Sequence, residues 1–127
     1  MTSRSREKLL RFEDLDVWKR AARLSADIYI KLRDLRDFTF KEQITRSGLS
    51  IPSNIAEGHE RESNKEALTF LSYAKASCGE LRTQIYIGME IGYIDKNTGK
   101  TWLSETREIS AMLVGLLRAK RAYLNRK

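Results

Sequence analysis

An all-α fold, an antiparallel up-and-down four-helix bundle, follows from three features of the sequence. Four long stretches place apolar residues three and four apart, the period of an α-helix, and none alternates apolar and polar as a strand does. A chain of 127 residues holds a single proline, so little interrupts those stretches. Short polar segments join them, and short connections make neighbouring helices antiparallel. The length suits one domain able to bury a core without disulfides or metals. No internal repeat points to a solenoid.

The first helix is predicted from about Leu15 to Arg36, with Asp14 as N-cap. Its buried stripe is read as Trp18, Ala22, Ser25 or Ala26, Tyr29 and Leu32. The second starts at Thr39, where Thr39-Phe40-Lys41-Glu42 has the form of a capping box. Ile44, Gly48, Ile51 and Ile55 make one face of it, and Pro52 sits in the middle of that face. A proline inside a helix loses a hydrogen bond and presses its ring on the carbonyl four residues back. Here that residue is Gly48, which leaves the backbone less crowded. The expectation is a kinked but continuous helix, stopped by Gly58.

Ser63-Asn64-Lys65-Glu66 is a second capping box and opens the third helix, which should reach about Ile91 and be closed by Gly92. Ala67, Phe70 or Leu71, Ala74, Cys78, Leu81 and Ile85 line its inner face. Asp95-Lys96-Asn97-Thr98-Gly99-Lys100 reads as a polar turn. The fourth helix follows from about Thr101, or slightly earlier, to Leu124, with Trp102, Ile109, Leu113, Leu116 or Leu117, and Tyr123 as its stripe. Helices three and four carry further apolar residues (Tyr73, Tyr86, Ile87, Met89, Leu103, Met112 and Val114), more than one inner stripe needs. Exposed apolar patches often mark protein contacts, so a homo-oligomer is expected.

The run Arg46-Ser47-Gly48-Leu49-Ser50-Ile51-Pro52-Ser53-Asn54-Ile55-Ala56-Glu57-Gly58 resembles the signature of the four-helix proteins encoded in intervening sequences of bacterial 23S rRNA genes. Phe12-Glu13-Asp14-Leu15, Phe70-Leu71-Ser72-Tyr73-Ala74-Lys75-Ala76-Ser77 with Glu80-Leu81, and Met112-Leu113-Val114-Gly115-Leu116-Leu117 resemble further blocks of that family. The resemblance covers roughly residues 12–120. It implies a compact up-and-down bundle, often assembled as a ring-like pentamer. A related group serves diversity-generating retroelements, where a basic pentameric barrel works with a reverse transcriptase and nucleic acid. This chain departs from the pattern at Ala76, where a glycine is usual, and at Ser47 and Gly48, where two alanines are. Small residues replace small ones.

Catalytic chemistry finds little footing. His59 is the only histidine, beside Gly58 at a helix end, where contact with the helix terminus or solvent outweighs general-base work. Cys78 lies among small residues on an inner face, the setting of a buried small hydrophobe. One His and one Cys do not make a zinc site without carboxylates or several chains, and no cofactor is implied. Thr98-Gly99-Lys100-Thr101 contains a GKT triplet without the earlier glycine or the strand of a P-loop. The reading is a non-enzyme. Asn54 and Glu57 can point to one side of the proline helix, Glu57 towards Arg82 or Lys75 of the next helix. Gly48, Pro52, Asn54, Glu57 and Gly58 are therefore read as a structural motif, chiefly for packing.

Charge supplies the functional expectation. The chain has 24 Lys+Arg against 17 Asp+Glu, a net +7. Residues 1–13 carry +2 and residues 118–127 carry +5, so residues 14–117 sum to zero. The domain reading is a basic N-terminal arm over 1–13, the bundle over 14–124 and a basic C-terminal tail over 125–127. Arg118, Lys120, Arg121, Arg126 and Lys127, without an acid among them, exceed what a helix dipole calls for. With Arg46 they are the candidate contacts to a phosphate backbone, RNA before DNA, of low sequence preference and strong salt dependence. The alternative is an interaction scaffold or adaptor for a larger nucleic-acid enzyme, its basic ends meeting an acidic partner. No run is long and apolar enough for a membrane helix, no signal core follows the basic N-terminus, and a lone cysteine suits a reducing compartment. A cytoplasmic location is expected.

Overall fold

The computed structural model of the protein describes residues 10–126. After a short 3-10 turn at Phe12–Asp14 come four helices: α1 (Asp16–Leu32), α2 (Phe38–Glu60), α3 (Asn64–Glu90) and α4 (Lys96–Asn125). Each packs on its sequence neighbour, α1 also packs on α4, and the backbones of diagonal helices do not approach. This is an antiparallel up-down-up-down bundle, with no strand among the described residues.

Residues from all four helices close one core. Ile28, Ile44, Ile51, Ile55, Leu81, Ile85, Trp102, Ile109 and Leu113 are almost wholly withdrawn from water. On α2, Ile44, Gly48, Ile51 and Ile55 are all buried, as their spacing predicts. On α3 the inner face is Ala67, Leu71, Ala74, Cys78, Leu81 and Ile85, and on α4 it includes Trp102, Ile109, Leu113 and Leu117. Leu103 also belongs to this core.

The face of α1 departs from the sequence expectation. Its buried residues are Val17, Ala21, Leu24, Ser25, Ile28 and Leu32, a stripe rotated by about one residue from the expected one. Trp18 lies at the rim, edge-on to Phe12 at 5.3 Å, and Tyr29 is half exposed. Polar bonds fix this rotation. Arg20 Nε donates to Glu105 Oε1 (2.7 Å) and its Nη2 to Glu105 Oε2 (2.9 Å) and to Glu108, while Trp102 Nε1 donates to Asp27 Oδ2 (2.8 Å).

Helix ends also differ. Asp14 is not the N-cap of α1: its Oδ2 accepts from Arg11 N within the 3-10 turn, and Leu15 takes the cap position. Helix α1 ends at Leu32, four residues short of the expected end, because the chain must turn to deliver Asp37. Asp37 caps α2, not Thr39. Its Oδ1 accepts from Phe40 N (3.1 Å) and its Oδ2 from Tyr93 Oη (2.9 Å), tying two loops at one end of the bundle. Ser63 caps α3 as expected, accepting from Glu66 N (3.0 Å). Gly92, with φ +83°, turns the chain out of α3 in the left-handed region that suits glycine. The polar turn before α4 is shorter than expected, because Asp95 accepts from Thr98 N (2.8 Å) and starts the helix at Lys96.

Helix α2 runs continuously past Pro52, and Gly58 does not stop it; the helix ends at Glu60. Gly58 serves close packing. A Cβ there would lie 3.3 Å from the Ala67 carbonyl oxygen and 3.3 Å from Phe70 Cβ. A Cβ on Gly48 would lie 3.3 Å from Ile28 Cδ1. Both glycines let α2 approach its neighbours.

Asp37, Asp95 and Glu105 have pKa values held below the ordinary carboxyl range, the first two chiefly by backbone N–H bonds and Glu105 chiefly by the Arg20 guanidinium. A carboxyl with a lowered folded pKa contributes stability above its unfolded value, about 4, and loses it as pH falls through the folded value. The melting temperature should therefore be level above about pH 5 and decline below about pH 4. In Glu105→Gln the acid limb should be shallower, as thermal melts across pH would register.

Candidate nucleic-acid interface

The outward groove between α3 and α4 gathers cations. It has a volume of about 520 Å³ and is lined by Ser72, Lys75, Ala76, Gly79, Arg82, Ser110, Val114, Leu117, Arg118 and Arg121. The α3 members recur three and four apart, next to the inner stripe of Leu71, Ala74, Cys78 and Leu81. On α4, Ser110, Val114, Leu117, Arg118 and Arg121 repeat the same pattern. Antiparallel packing brings the two rows together.

Among the described residues no carboxylate lines this groove. The acids of the same helices point elsewhere: Glu80 accepts from Ser47 Oγ of α2 (3.2 Å), and Glu105 and Glu108 hold Arg20 of α1. Two cations of the stretch that sums to zero in sequence, Lys75 and Arg82, thus share one face with Arg118 and Arg121 of the basic C-terminal segment. The floor is made of small residues, which keeps the groove open.

Arg82 is the inner member. Its Nη1 is buried and has no acceptor among the described residues. A buried donor left without a partner is costly, and guanidinium groups pair well with phosphate oxygens. One turn beyond Arg82 on α3, outside the residues that line the groove, Tyr86 is half exposed and its Oη accepts from Arg107 Nη2 of α4 (2.6 Å).

Of the residues expected from sequence, Arg118 and Arg121 line the groove. Lys120 and Arg126 lie on α4 and at its end, outside the lining. Lys127, like Arg4, Arg6 and Lys8 of the N-terminal arm, lies outside the described residues. Arg46 is on α2, exposed, and donates to Glu42 Oε1 one turn away (2.6 Å). Lys75 and Arg82 are additions to the site. Their spacing on α3 was visible in sequence; their juxtaposition with Arg118 and Arg121 was not.

The proline motif builds the α2–α3 contact. Asn54 Nδ2 donates to the Ser50 carbonyl and to Ser50 Oγ (2.9 Å each), and Ser50 Oγ shares a hydrogen bond with Ser77 Oγ (2.8 Å). Glu57 pairs with Arg61 (2.7 Å) rather than with Arg82 or Lys75, because Arg61 is one turn further along and the other two face α4. Arg61 also lies over the Phe70 ring at 4.5 Å.

His59 Nε2 donates to the Leu10 carbonyl (2.6 Å), holding the entering chain against the end of α2. Cys78 is fully buried, and burial pushes its thiol up to about 11, partly opposed by the Arg82 charge. A thiol so placed is a poor nucleophile. In native protein Cys78 should react with a disulfide reagent only as fast as the bundle opens, and rapidly in denaturant, which a time course would measure. No group of three metal-binding side chains occurs among the described residues. No described helix is long and apolar enough to cross a membrane.

The fold and this face define the class: an all-α up-and-down four-helix bundle with a cationic groove between its last two helices. Residues 13–115 match the family described as 23S rRNA-intervening sequence protein, and the chain belongs to that family. Among solved structures it is similar to a protein of unknown function from the S23 ribosomal protein family of Bacteroides thetaiotaomicron. That match has a TM-score of 0.75 and 23% identity, covering 80% of this chain and 97% of the other. At that identity the likeness speaks for the fold. No curated protein matches the chain.

Proposed function

We propose that this protein is a non-enzymatic, oligomeric helical bundle that binds nucleic acid, RNA in preference to DNA, by electrostatic contact with the phosphate backbone. The observation that carries this reading is the meeting of Lys75, Arg82, Arg118 and Arg121 around one groove with no acid among its described lining residues. Lys120, Arg126 and Lys127 would widen the positive field, and Arg46 would add a contact from another face. The preference for RNA draws on the family's description, which refers to 23S rRNA, and on the ribosomal family to which the similar structure is assigned. The bundle is the rigid scaffold, and its partners are nucleic acid and further copies of itself, with a pentamer as the assembly the family resemblance implies.

The test is fluorescence anisotropy of nuclease-treated protein with an rRNA stem-loop, single-stranded RNA and duplex DNA across a salt series. Four phosphate contacts to a single strand give a log–log salt slope of about −3. Tight binding with such a slope is expected; no binding at low salt overturns the reading.

A second reading, a protein-interaction scaffold or an adaptor for a larger nucleic-acid enzyme, has its own observation. Leu49, Tyr73, Tyr86, Ile87 and Ile91 are each about half exposed on α2, α3 and the end of α3. Apolar surface of this kind suits a partner chain as well as a second copy. Pull-down that survives nuclease and high salt would favour it.

A further inference from the structure

We infer that the α3–α4 groove is a built site for an unpaired nucleotide, with Arg82 as the seat of its phosphate and Tyr86 as the platform for its base. The inference rests on the nucleic-acid reading for its ligand class, and it goes beyond a diffuse basic surface to a defined place on the fold.

Three observations converge. Arg82 keeps a buried Nη1 with no acceptor among the described residues, while Lys75, Arg118 and Arg121 stand around the same groove. Buried polar groups are ordinarily hydrogen-bonded, so a guanidinium left one bond short, on a groove shared with three further cations, points to an anion as its partner. Ser72 and Ser110 add hydroxyl donors from the two walls. The volume, about 520 Å³, is of the size that encloses a small ligand.

The groove is also kept clear. Gly79 and Ala76 form its α3 floor, and a Cβ on Gly79 would come no nearer than 4.0 Å to Arg82 Nη2. Glycine is thus not required by contact there, nor is a positive φ recorded for it. Its effect is to leave the Nη2 side of the guanidinium uncovered by any side chain at 79. A longer side chain at 79 would fill the groove while leaving every charge in place.

Tyr86 follows Arg82 by four residues, one helical turn along the same face. Its ring is half exposed, and the Arg107 bond to its hydroxyl ties it across to α4. A phenol anchored at its oxygen offers its ring face with little loss of freedom on binding, and aromatic faces stack unpaired bases of any kind. A paired base in a duplex is not available to stack. The ligand is therefore a phosphate group carried by an unpaired strand, at its end or within its backbone.

The experiment uses the full chain and three variants. Isothermal titration with inorganic pyrophosphate, and anisotropy with a short single-stranded RNA bearing a 5′-phosphate or a 5′-hydroxyl, are run on wild type, Arg82→Gln, Gly79→Leu and Tyr86→Leu. Arg82→Gln and Gly79→Leu should each weaken pyrophosphate and single-stranded RNA by about tenfold or more, the scale of one charge-assisted hydrogen bond. Tyr86→Leu should weaken single-stranded RNA by about tenfold and leave pyrophosphate unchanged. Loss of affinity on removing the 5′-phosphate assigns the seat to a strand end; equal affinity assigns it to the backbone, and both support the site. Gly79→Leu raises helix propensity, so it tests the groove even if Arg82→Gln fails to fold.

If Arg82→Gln and Gly79→Leu bind as wild type while charge reversal at Arg118 and Arg121 abolishes binding, the nucleotide site is wrong and the nucleic-acid reading stands. If wild type binds neither probe at low salt, both fall. If Gly79→Leu breaks the assembly into smaller species, the groove is covered by a second copy and the nucleotide site is overturned.

Discussion

Reversing Arg118 and Arg121 together, as Arg118→Glu and Arg121→Glu, is expected to lower affinity for single-stranded RNA by about a hundredfold or more. Each arginine lost from a phosphate removes a charge-assisted contact of about 1.5–3 kcal/mol, and each glutamate gained repels the next phosphate. Both residues share the groove with Lys75 and Arg82, so the reversal acts where the field is strongest. Neutralisation is a finer probe: Arg118→Gln with Arg121→Gln should flatten the log–log salt slope by about 1.4, two contacts at about 0.7 each.

The control is the pair Lys120→Glu and Arg126→Glu, which makes the same change of net charge outside the groove. At about 0.1 M salt the screening length is about 10 Å, so this pair should cost less than about tenfold. Anisotropy measures both pairs, and thermal melts check that the bundle is intact. Equal losses from the two pairs would mean that net charge alone drives binding and would remove the groove from the mechanism. Unchanged affinity in the groove pair would turn the proposal towards the protein scaffold.

Trp102→Ala should be the most damaging single substitution to the fold. The indole is 1% exposed near the N-terminal end of the α4 stripe, and its Nε1 donates to Asp27 of α1. Removing a buried tryptophan costs about 3–5 kcal/mol from lost transfer energy and the cavity left behind. Against a domain stability of about 5–15 kcal/mol, that is a third of the total or more in most cases. Trp102→Phe keeps most of the volume and loses the bond to Asp27, for a cost of about 1–2 kcal/mol. Urea unfolding at one fixed protein concentration gives both values, since any self-association would make apparent stability depend on concentration. Equal costs for the two variants would place the whole effect in the hydrogen bond and deny the packing role.

Parts of this molecule could be read directly from residue order. The inner faces of α2 and α3 were legible because their large aliphatic residues stand alone at helical spacing, with polar or small neighbours on each side. Helix α1 was harder. Val17 and Trp18 are adjacent and both apolar, as are Ile28 and Tyr29, and favouring the aromatic member turns the stripe by one position. The aromatic rings carry a polar or bulky part that suits the rim, while Val17 and Ile28 fit the centre. Caps behaved similarly: Ser63 was read correctly, whereas the start of α2 was placed at Thr39 and Asp37 was missed. The bonds from Phe40 N and Tyr93 Oη favour Asp37, and the second comes from a loop 56 residues away.

The sequence by itself determined the fold class and the number of helices, because these depend on periodicity, caps and composition, all local quantities. It located excess charge at the chain ends and reported the middle as neutral. Only the tertiary structure decided that the neutral middle is polarised. Packing α1 against α4 draws Glu105 and Glu108 to Arg20, and packing α2 against α3 draws Glu80 to Ser47. The cations left over, Lys75 and Arg82, then meet Arg118 and Arg121 across an antiparallel pair of helices. Net charge is a sum over residues, but a binding face depends on which residues share a direction in space. That is set by the rotation of each helix about its axis, which packing alone fixes.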